Sequence, residues 1–172
     1  MKKLIFLLMA VILAAGISAQ APGPDVEVGF AMKGADPSGK ALVLKVINSA
    51  KNEILVAAYN FTDIDIIMAL IDAKVHRGVQ VSVVHDAVAS SEKGDGTAML
   101  KKAGVPIRLD HKYKIMHNKF LIVDRIVVET GSFNYSVNAN KENAENVLVL
   151  WSRPDIAAKY MGIWTELWNE SV

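Results

Sequence analysis

The chain has 172 residues, of which 52% are apolar, which is enough for a packed core in one domain of ordinary length. It contains no cysteine, which excludes disulfides, thiol catalysis and every metal site that depends on cysteine. The formal net charge is +1, so the chain as a whole lacks the strong basic excess that is typical of nucleic-acid-binding proteins.

The amino terminus is typical of a secretory signal peptide. Lys2 and Lys3 precede an uninterrupted apolar run over residues 4–15 and a small-residue end near Ala19. The run is shorter than the roughly 20 residues that cross a bilayer, so we expect it to be removed rather than kept as an anchor. We therefore predict a signal peptide over residues 1–20, a single domain over residues 21–172, a periplasmic or secreted protein and no stable membrane insertion. Losing the two lysines takes the formal charge from +1 to −1.

Apolar periodicity predicts alternating strands and helices in the first half of the domain. A short strand at 26–30 precedes a helix at 39–50, for which Ser38 is the expected N-cap. A strand at 53–59 leads into a second helix that ends at Gly78, followed by a strand at 79–83. The predicted apolar face of this second helix carries Ile64, Met68, Ile71 and Val75. Strand, helix and strand in this order indicate a crossover connection between parallel strands.

The second half begins with a polar segment at 90–97, which we predict to be a mobile surface loop, and continues with a helix to about Ala103 and a strand at 105–107. Apolar runs at 120–123 and 126–128 predict a hairpin with its turn at Asp124 and Arg125. The run at 147–150 is apolar on both faces and is predicted to be a central strand. A last helix begins at Pro154. The elements predict an α/β fold in which one mixed, largely parallel β-sheet is flanked by helices on both faces.

Chemically informative residues surround the predicted hairpin. His117 and Lys119 lie two residues apart on an extended segment, so their side chains point to the same face. A neutral imidazole can attack phosphorus, and an ammonium can bind a non-bridging phosphate oxygen. Ser132 and Asn134 follow the second strand, where their polar groups supply further donors. Asp124 sits at the turn, where hydrogen bonds that fix the hairpin are the favoured interpretation.

This pattern resembles the signature of the phospholipase D superfamily, His-x-Lys, four residues, Asp, six residues, Gly-Ser-x-Asn. The matching positions are His117, Lys119, Asp124, Gly131, Ser132 and Asn134. Segments at 28–30, 58–62, 129–134 and 145–146 also resemble, in the same order, the small exported bacterial endonucleases of that superfamily. The resemblance implies a phosphohistidine intermediate on His117, phosphate binding by Lys119, Ser132 and Asn134, and no metal or other cofactor.

The resemblance also implies an acidic residue that orients the histidine and stabilises the imidazolium. Glu145 matches that position, and Glu142 is an alternative. The candidates for the catalytic site are His117, Lys119, Asp124, Ser132, Asn134 and Glu145.

Basic residues concentrate immediately before the motif. Between positions 101 and 119 they are Lys101, Lys102, Arg108, Lys112, Lys114 and Lys119, against Asp110 alone. We predict that Lys112 and Lys114 contact the phosphates of the substrate, with a solvated charged loop as the alternative. No base-reading module is found, so binding is expected to depend on the backbone rather than on sequence.

One copy of the motif is present, whereas this chemistry needs a nucleophile and an acid on opposite sides of phosphorus. The resemblance therefore implies a homodimer with the active site at its interface and a His117 from each chain. His85, at the end of a predicted strand, is the alternative acid for a monomer. The predicted function is metal-independent cleavage of DNA without sequence preference, with RNA as a further candidate substrate. A phospholipase D acting on phospholipids is the first alternative, and a non-catalytic nucleic-acid-binding module is the second.

Overall fold

The computed structural model describes residues 25–35 and 38–172, and the predicted signal peptide lies outside them. Within these residues a single sheet is formed by β1 (Val26–Ala31), β2 (Glu53–Ala58), β3 (Gln80–Asp86), β4 (Ile107–Asp110), β5 (Phe120–Val123), β6 (Val127–Gly131) and β7 (Glu145–Leu150). The helices are α1 (Gly39–Ser49), α2 (Ile64–Val75), α3 (Thr97–Lys102), α4 (Val137–Lys141) and α5 (Pro154–Glu170). The strand order is β1-β7-β6-β5-β2-β3-β4. None of the described helices is long and apolar enough to span a bilayer.

The sheet is mixed, as predicted, but it is not largely parallel. β2 pairs with β3 and β3 with β4 in parallel, as the crossover through α2 requires. The other neighbours, β1 with β7, β7 with β6, β6 with β5 and β5 with β2, are antiparallel. The parallel expectation was wrong for this half because the β5–β6 hairpin and the β7–β1 pair extend the sheet on the other side of β2.

One face of the sheet is covered by α1 and α2. Ser38 caps α1 as predicted, with its hydroxyl accepting from the Ala41 N–H at 3.2 Å. The apolar face of α2 differs from the prediction. Ile66, Ile67 and Leu70 are buried, whereas three of the four predicted residues are about half exposed: Ile64, Met68 and Val75. Apolar side chains occur on several sides of α2, so spacing alone does not decide which side packs.

β7 forms as predicted but lies next to the edge strand, so its predicted central position was wrong. Val147 and Val149 are buried beneath α1, while Leu148 and Leu150 on the other face are only partly buried. The second face of β7 is apolar but only partly covered, because Leu150 packs against the cluster that includes α5 while Leu148 lines an open groove. For that reason an apolar run on both sides of a strand did not indicate a central position here.

The opposite face of the sheet is covered by α5, which packs against the strands from β6 to β4. Ala157, Trp164 and Leu167 face the sheet, and the Trp164 indole donates to the Val56 carbonyl at 2.8 Å. The helices thus flank the sheet on both faces, as predicted. Beyond α5, on the same face, β1 exposes three side chains, Val26, Val28 and Phe30, by 46%, 45% and 44%. These three residues are called the β1 patch below.

Candidate active site

The segment that carries His117 is anchored at the carboxyl end of β3. The buried Met116 donates its N–H to Asp86 Oδ2 at 2.8 Å, and Asp86 is the last residue of β3. His117 itself is exposed, with its ring packed against Tyr59, the residue that follows β2; the two ring centroids are 4.5 Å apart. The predicted nucleophile therefore stands at an edge of the sheet where two parallel strands end.

The electrostatic surroundings favour the neutral form of the His117 imidazole. Partial burial lowers the pKa of His117, the Lys119 ammonium lowers it further, and the Asp86 carboxylate partly opposes both. The lowered pKa favours the uncharged ring, which is the form that a nucleophile requires.

Lys119 directly precedes β5 and is only 7% exposed. Its Nζ donates to the His117 carbonyl at 2.7 Å, and no carboxylate of the described residues forms an ion pair with it. Burial lowers the pKa of Lys119, and the Glu145 carboxylate partly opposes this. A buried ammonium without a counter-ion is costly, and an anionic ligand would relieve that cost.

Ser132 is joined to β7 through Glu145 and Asn146. Its hydroxyl donates to Glu145 Oε2 and accepts from the Asn146 N–H at 3.0 Å, while its own N–H donates to Asn146 Oδ1 at 2.9 Å. Asn143 donates to the other oxygen of Glu145 at 2.7 Å. Within the described residues Glu145 has no hydrogen bond to His117, so its role in orienting the ring stays a prediction. Glu142, the alternative, is exposed at the end of α4.

Gly131 is explained by a close approach between β6 and β7. A Cβ atom added at this position would lie 2.2 Å from the Asn146 carbonyl oxygen, so no side chain fits without moving the strand. Asn134 lies three residues later, and its buried Oδ1 has no hydrogen-bond partner in the described part of the chain. An unsatisfied buried amide oxygen is uncommon. Because Oδ1 only accepts hydrogen bonds, the predicted contact of Asn134 with phosphate would be made by its Nδ2 donor.

Asp124 is remote from this site, at the opposite end of β5 from Lys119. Its carboxylate accepts from the backbone N–H groups of Lys51, Asn52 and Glu53 at 2.8, 2.7 and 2.8 Å. Burial acts to raise the pKa of Asp124, but these backbone N–H groups outweigh it and hold the pKa below its usual value. The geometry agrees with the structural interpretation of Asp124 and not with a place in the chemistry.

The basic segment is less free than its sequence suggests. Lys112 forms an ion pair with Glu170 at the end of α5. The Arg108 guanidinium donates to the Trp168 carbonyl at 2.8 Å and lies over that indole, so it holds the end of the same helix. Lys114 is exposed, and it forms no ion pair within residues 38–172. Of the two lysines predicted to bind substrate, Lys114 is the one that remains available.

His85 does not line the cleft, contrary to its role as the alternative acid. It is fully buried; its Nε2 lies 3.1 Å from the Tyr59 carbonyl oxygen, and its Nδ1 lies 3.0 Å from the Thr97 hydroxyl. The second bond ties residue 97, the end of the predicted mobile loop, to β3. A residue at the end of a strand can be buried or exposed, so the sequence position of His85 did not reveal that its side chain is buried.

Sequence reasoning assigned no role to Tyr59 or Asp86, although both contact the His117 segment. Each lies at the carboxyl end of a parallel strand, and that placement was the available signal. A cleft of about 360 Å³ opens beside His117, with Tyr113 on one wall and Ile163 and Glu166 of α5 on another. No group of three or more His, Asp or Glu side chains suited to hold a metal ion occurs in the part of the chain that the structure describes.

Comparison with known proteins adds three findings. Residues 43–168 match the family described as cardiolipin synthase, PLD-like domain. Phospholipase D of Rickettsia bellii is 37% identical over 129 residues, which are 74% of this chain and 63% of that protein. Mitochondrial cardiolipin hydrolase of Xenopus tropicalis is 39% identical over 94 residues, 55% of this chain and 44% of that protein. The chain thus spans less than two thirds of the length of these curated relatives.

Among solved structures, the crystal structure of Nuc from Salmonella typhimurium, described as a phospholipase D family member, is similar to this chain with a TM-score of 0.79 and 39% identity. The match covers 86% of this chain and 95% of Nuc. The likeness extends over the whole sheet rather than over the motif alone.

Proposed function

This chain belongs to the phospholipase D superfamily, and from that premise we propose that it is a phosphodiesterase that works through a phosphohistidine on His117. The observation that carries the proposal is the buried Lys119 ammonium, without an ion pair within the described residues, beside an exposed imidazole whose pKa is lowered. A phosphodiester supplies both missing partners, an anion for Lys119 and an electrophilic phosphorus for His117.

The chemistry takes two displacements at phosphorus. The His117 imidazole attacks, a P–N bond forms, and the P–O bond to the leaving alkoxide breaks as that oxygen takes a proton from an acid on the far side. Water then attacks phosphorus, gives its proton to the same group, and the P–N bond breaks to restore the neutral imidazole. Lys119, Ser132 and Asn134 are proposed to stabilise the charge on the non-bridging oxygens.

We further propose that the acid is His117 of a second copy of the chain. Each chain has a single motif, so two copies are needed to place imidazoles on both sides of phosphorus. A groove of about 390 Å³ beside the β1 patch supports this, because it is lined by Val28, Phe30 and Leu148 and also by Gly131, which adjoins Ser132. An apolar surface continuous with the site is suited to a self-complementary contact.

DNA is the proposed substrate, with RNA as a further possibility, and a periplasmic or secreted location is proposed with it. We propose that Lys114, which is exposed and lies three residues before His117, contacts a neighbouring phosphate. The chain also resembles small exported endonucleases in its single motif. Phospholipid is the second candidate, because relatives at 37% and 39% identity are named phospholipase D and cardiolipin hydrolase.

The deciding experiment incubates the purified protein, with excess EDTA, separately with supercoiled plasmid and with cardiolipin vesicles. We expect plasmid nicking that survives the chelator and is lost by orders of magnitude in a folded His117→Ala variant, with acid-labile phosphate trapped on His117 in the wild type. Turnover of lipid without nicking would establish the second candidate. Activity abolished by EDTA and restored by magnesium would contradict the phosphohistidine pathway.

The substrate class has its own test in a pair of lysine variants. Lys114→Ala should weaken DNA binding and reduce the salt dependence of log K by roughly one contact's worth, about 0.9. Lys112→Ala is the matched control and should do less, because Glu170 already neutralises that charge. Neither should alter turnover of a small chromogenic phosphodiester. Equal losses on the small substrate and on DNA would place Lys114 in the chemical step instead.

A further inference from the structure

Tyr59 contacts both residues that are proposed to do the chemistry. Its ring lies against the His117 imidazole, with centroids 4.5 Å apart and planes at 60°, and the Lys119 Nζ lies 5.4 Å from the centre of the same ring. Tyr59 lies in the segment 58–62 that resembles the small endonucleases of the superfamily, yet the proposed two-step reaction does not involve its ring. Both contacts fall within the ranges at which aromatic pairs and cation–π pairs are favourable.

The backbone of Tyr59 is fixed from below by a buried polar cluster. A carbonyl oxygen only accepts hydrogen bonds, so the contact between the Tyr59 carbonyl and His85 Nε2 places the proton on Nε2. Nδ1 of the neutral ring then accepts from the Thr97 hydroxyl, and Asp95 Oδ2 lies 3.4 Å from Nε2. His85 has no exposed surface, so its contact with the carbonyl of the residue after β2 is shielded from solvent.

We propose that Tyr59 is a positioning residue of the phosphodiesterase site, whose ring holds the His117 imidazole in its attacking orientation and the Lys119 ammonium beside it. The inference rests on the proposed function, because the orientation matters only if His117 attacks. His117 is exposed, and the hydrogen bond of Lys119 goes to a backbone carbonyl rather than to a side chain. The Tyr59 ring is the side chain that contacts both of them.

The ring also removes water from one side of the imidazole. The lowered pKa of His117 agrees with this, since burial is its main cause. The charged and titratable groups around the His117 imidazole are Lys119 before β5, Asp86 of β3, Glu166 of α5 and Tyr113 in the loop before His117. Replacing Tyr59 leaves these four groups in place, so a change in the His117 titration would measure the effect of the Tyr59 ring on the His117 pKa.

The test compares Tyr59→Leu with Tyr59→Phe in the full protein. The chain has four histidines, so the imidazole protons of His117 can be assigned by NMR with a His117 variant and titrated directly. In Tyr59→Leu we expect the His117 titration to move up toward that of a free histidine and its ring-current shift to disappear. Turnover of a small phosphodiester should fall about tenfold or more with little change in KM, since a misoriented nucleophile slows chemistry rather than binding. Tyr59→Phe keeps the ring and should retain the titration and the turnover.

Unchanged titration and unchanged turnover in a folded Tyr59→Leu would overturn the inference, and so would equal losses in Tyr59→Phe and Tyr59→Leu. If the wild type turns over no phosphodiester, the proposed function fails while the titration still decides whether Tyr59 sets the state of His117. If Tyr59→Leu fails to fold, Thr97→Val replaces it in the test, because it removes the hydrogen bond to His85 that helps to hold the Tyr59 backbone. We expect Thr97→Val to shift the His117 signals in the same direction. An absence of any shift in Thr97→Val would count against the inference.

Discussion

Glu129 lies in β6, in the layer of side chains beneath α1, and it is fully buried. Its Oε2 accepts from the Tyr135 hydroxyl at 2.7 Å, while Oε1 has no partner among the described residues. Burial raises the pKa of Glu129 to about 8, with the Tyr135 hydrogen bond acting weakly in the other direction. The carboxyl is therefore neutral at neutral pH, and it serves the core rather than the reaction.

The raised pKa makes stability depend on pH. Between the ordinary pKa of a glutamate and about 8, the folded protein keeps a proton that the unfolded chain has lost. The contribution is fully present below that ordinary value and is lost as the pH rises through the window, at up to about 1.4 kcal/mol per unit. Glu129→Gln retains an acceptor for Tyr135, so we expect equal stability near pH 5 and higher stability near pH 8 by urea unfolding.

The exposed Glu166→Gln makes the same chemical change without burial and is the control, which should leave the slope unaltered. A wild-type slope that persists in Glu129→Gln would show that another group is responsible.

At the scale of single residues, the sequence is informative about roles that depend on local spacing. It is less informative about roles that depend on contacts between distant parts of the chain. The prediction for His117 and Lys119 rests on spacing, because side chains two residues apart along an extended chain point to the same face. Whether Lys112 is free depended on Glu170, and that pair is 58 residues apart in sequence. No local pattern contains such information.

At the scale of elements, the β5–β6 hairpin shows how the motif is held in place. Asp124 and Arg125 have φ angles of 49° and 62°, and the Ile126 N–H donates to the Val123 carbonyl at 3.1 Å. Positive φ at both central residues is the geometry of a type I′ turn, whose twist suits a two-strand hairpin. The Asp124 carboxylate also joins this turn to the start of β2, so it fixes where β5 lies against β2.

Asp124→Ala should therefore cost stability and not chemistry. Three backbone N–H groups lose a charged acceptor, for which we expect a loss of about 2 kcal/mol in urea unfolding. The kcat of the protein that remains folded should be unchanged, and because the pKa of Asp124 is lowered, its contribution to stability should fade as the wild type is acidified through that pKa.

Arg125→Ala is the neighbouring control, since its ion pair with Glu53 is exposed to solvent and contributes little to stability. A loss of kcat in folded Asp124→Ala would return Asp124 to the chemistry.

The elements themselves were predictable where one signal dominated. Ser38 marked the start of α1, and the two apolar runs marked the hairpin. The face of α2 and the position of β7 were not predictable, because each is apolar on more than one side. In both cases the choice is made by partners elsewhere in the chain, α1 for the helix and β1 for the strand.

At the scale of the whole molecule, coverage of the sheet is uneven. α5 packs across β6, β5, β2, β3 and β4, and the β1 patch on the same face is left at nearly half exposure. The mixed order of the sheet brings β1 and β7 beside β6, so the uncovered surface borders Gly131, the residue before Ser132. An apolar surface beside this site agrees with the proposed dimer, in which a second copy of the chain supplies the other His117.

The last prediction is that dimerisation and turnover are lost together. We expect the protein to sediment at about twice the mass of one chain, and Phe30→Lys to sediment as a single folded chain with little activity, because a charge in the apolar contact opposes association. Val75→Lys alters a side chain of similar exposure, 53% against 44%, at the end of α2 and should affect neither property. A fully active single chain would contradict the shared site and would require an acid within one copy. His85 has no exposed surface from which to serve, so the acid would have to come from the cleft wall, where Glu166 stands with His117.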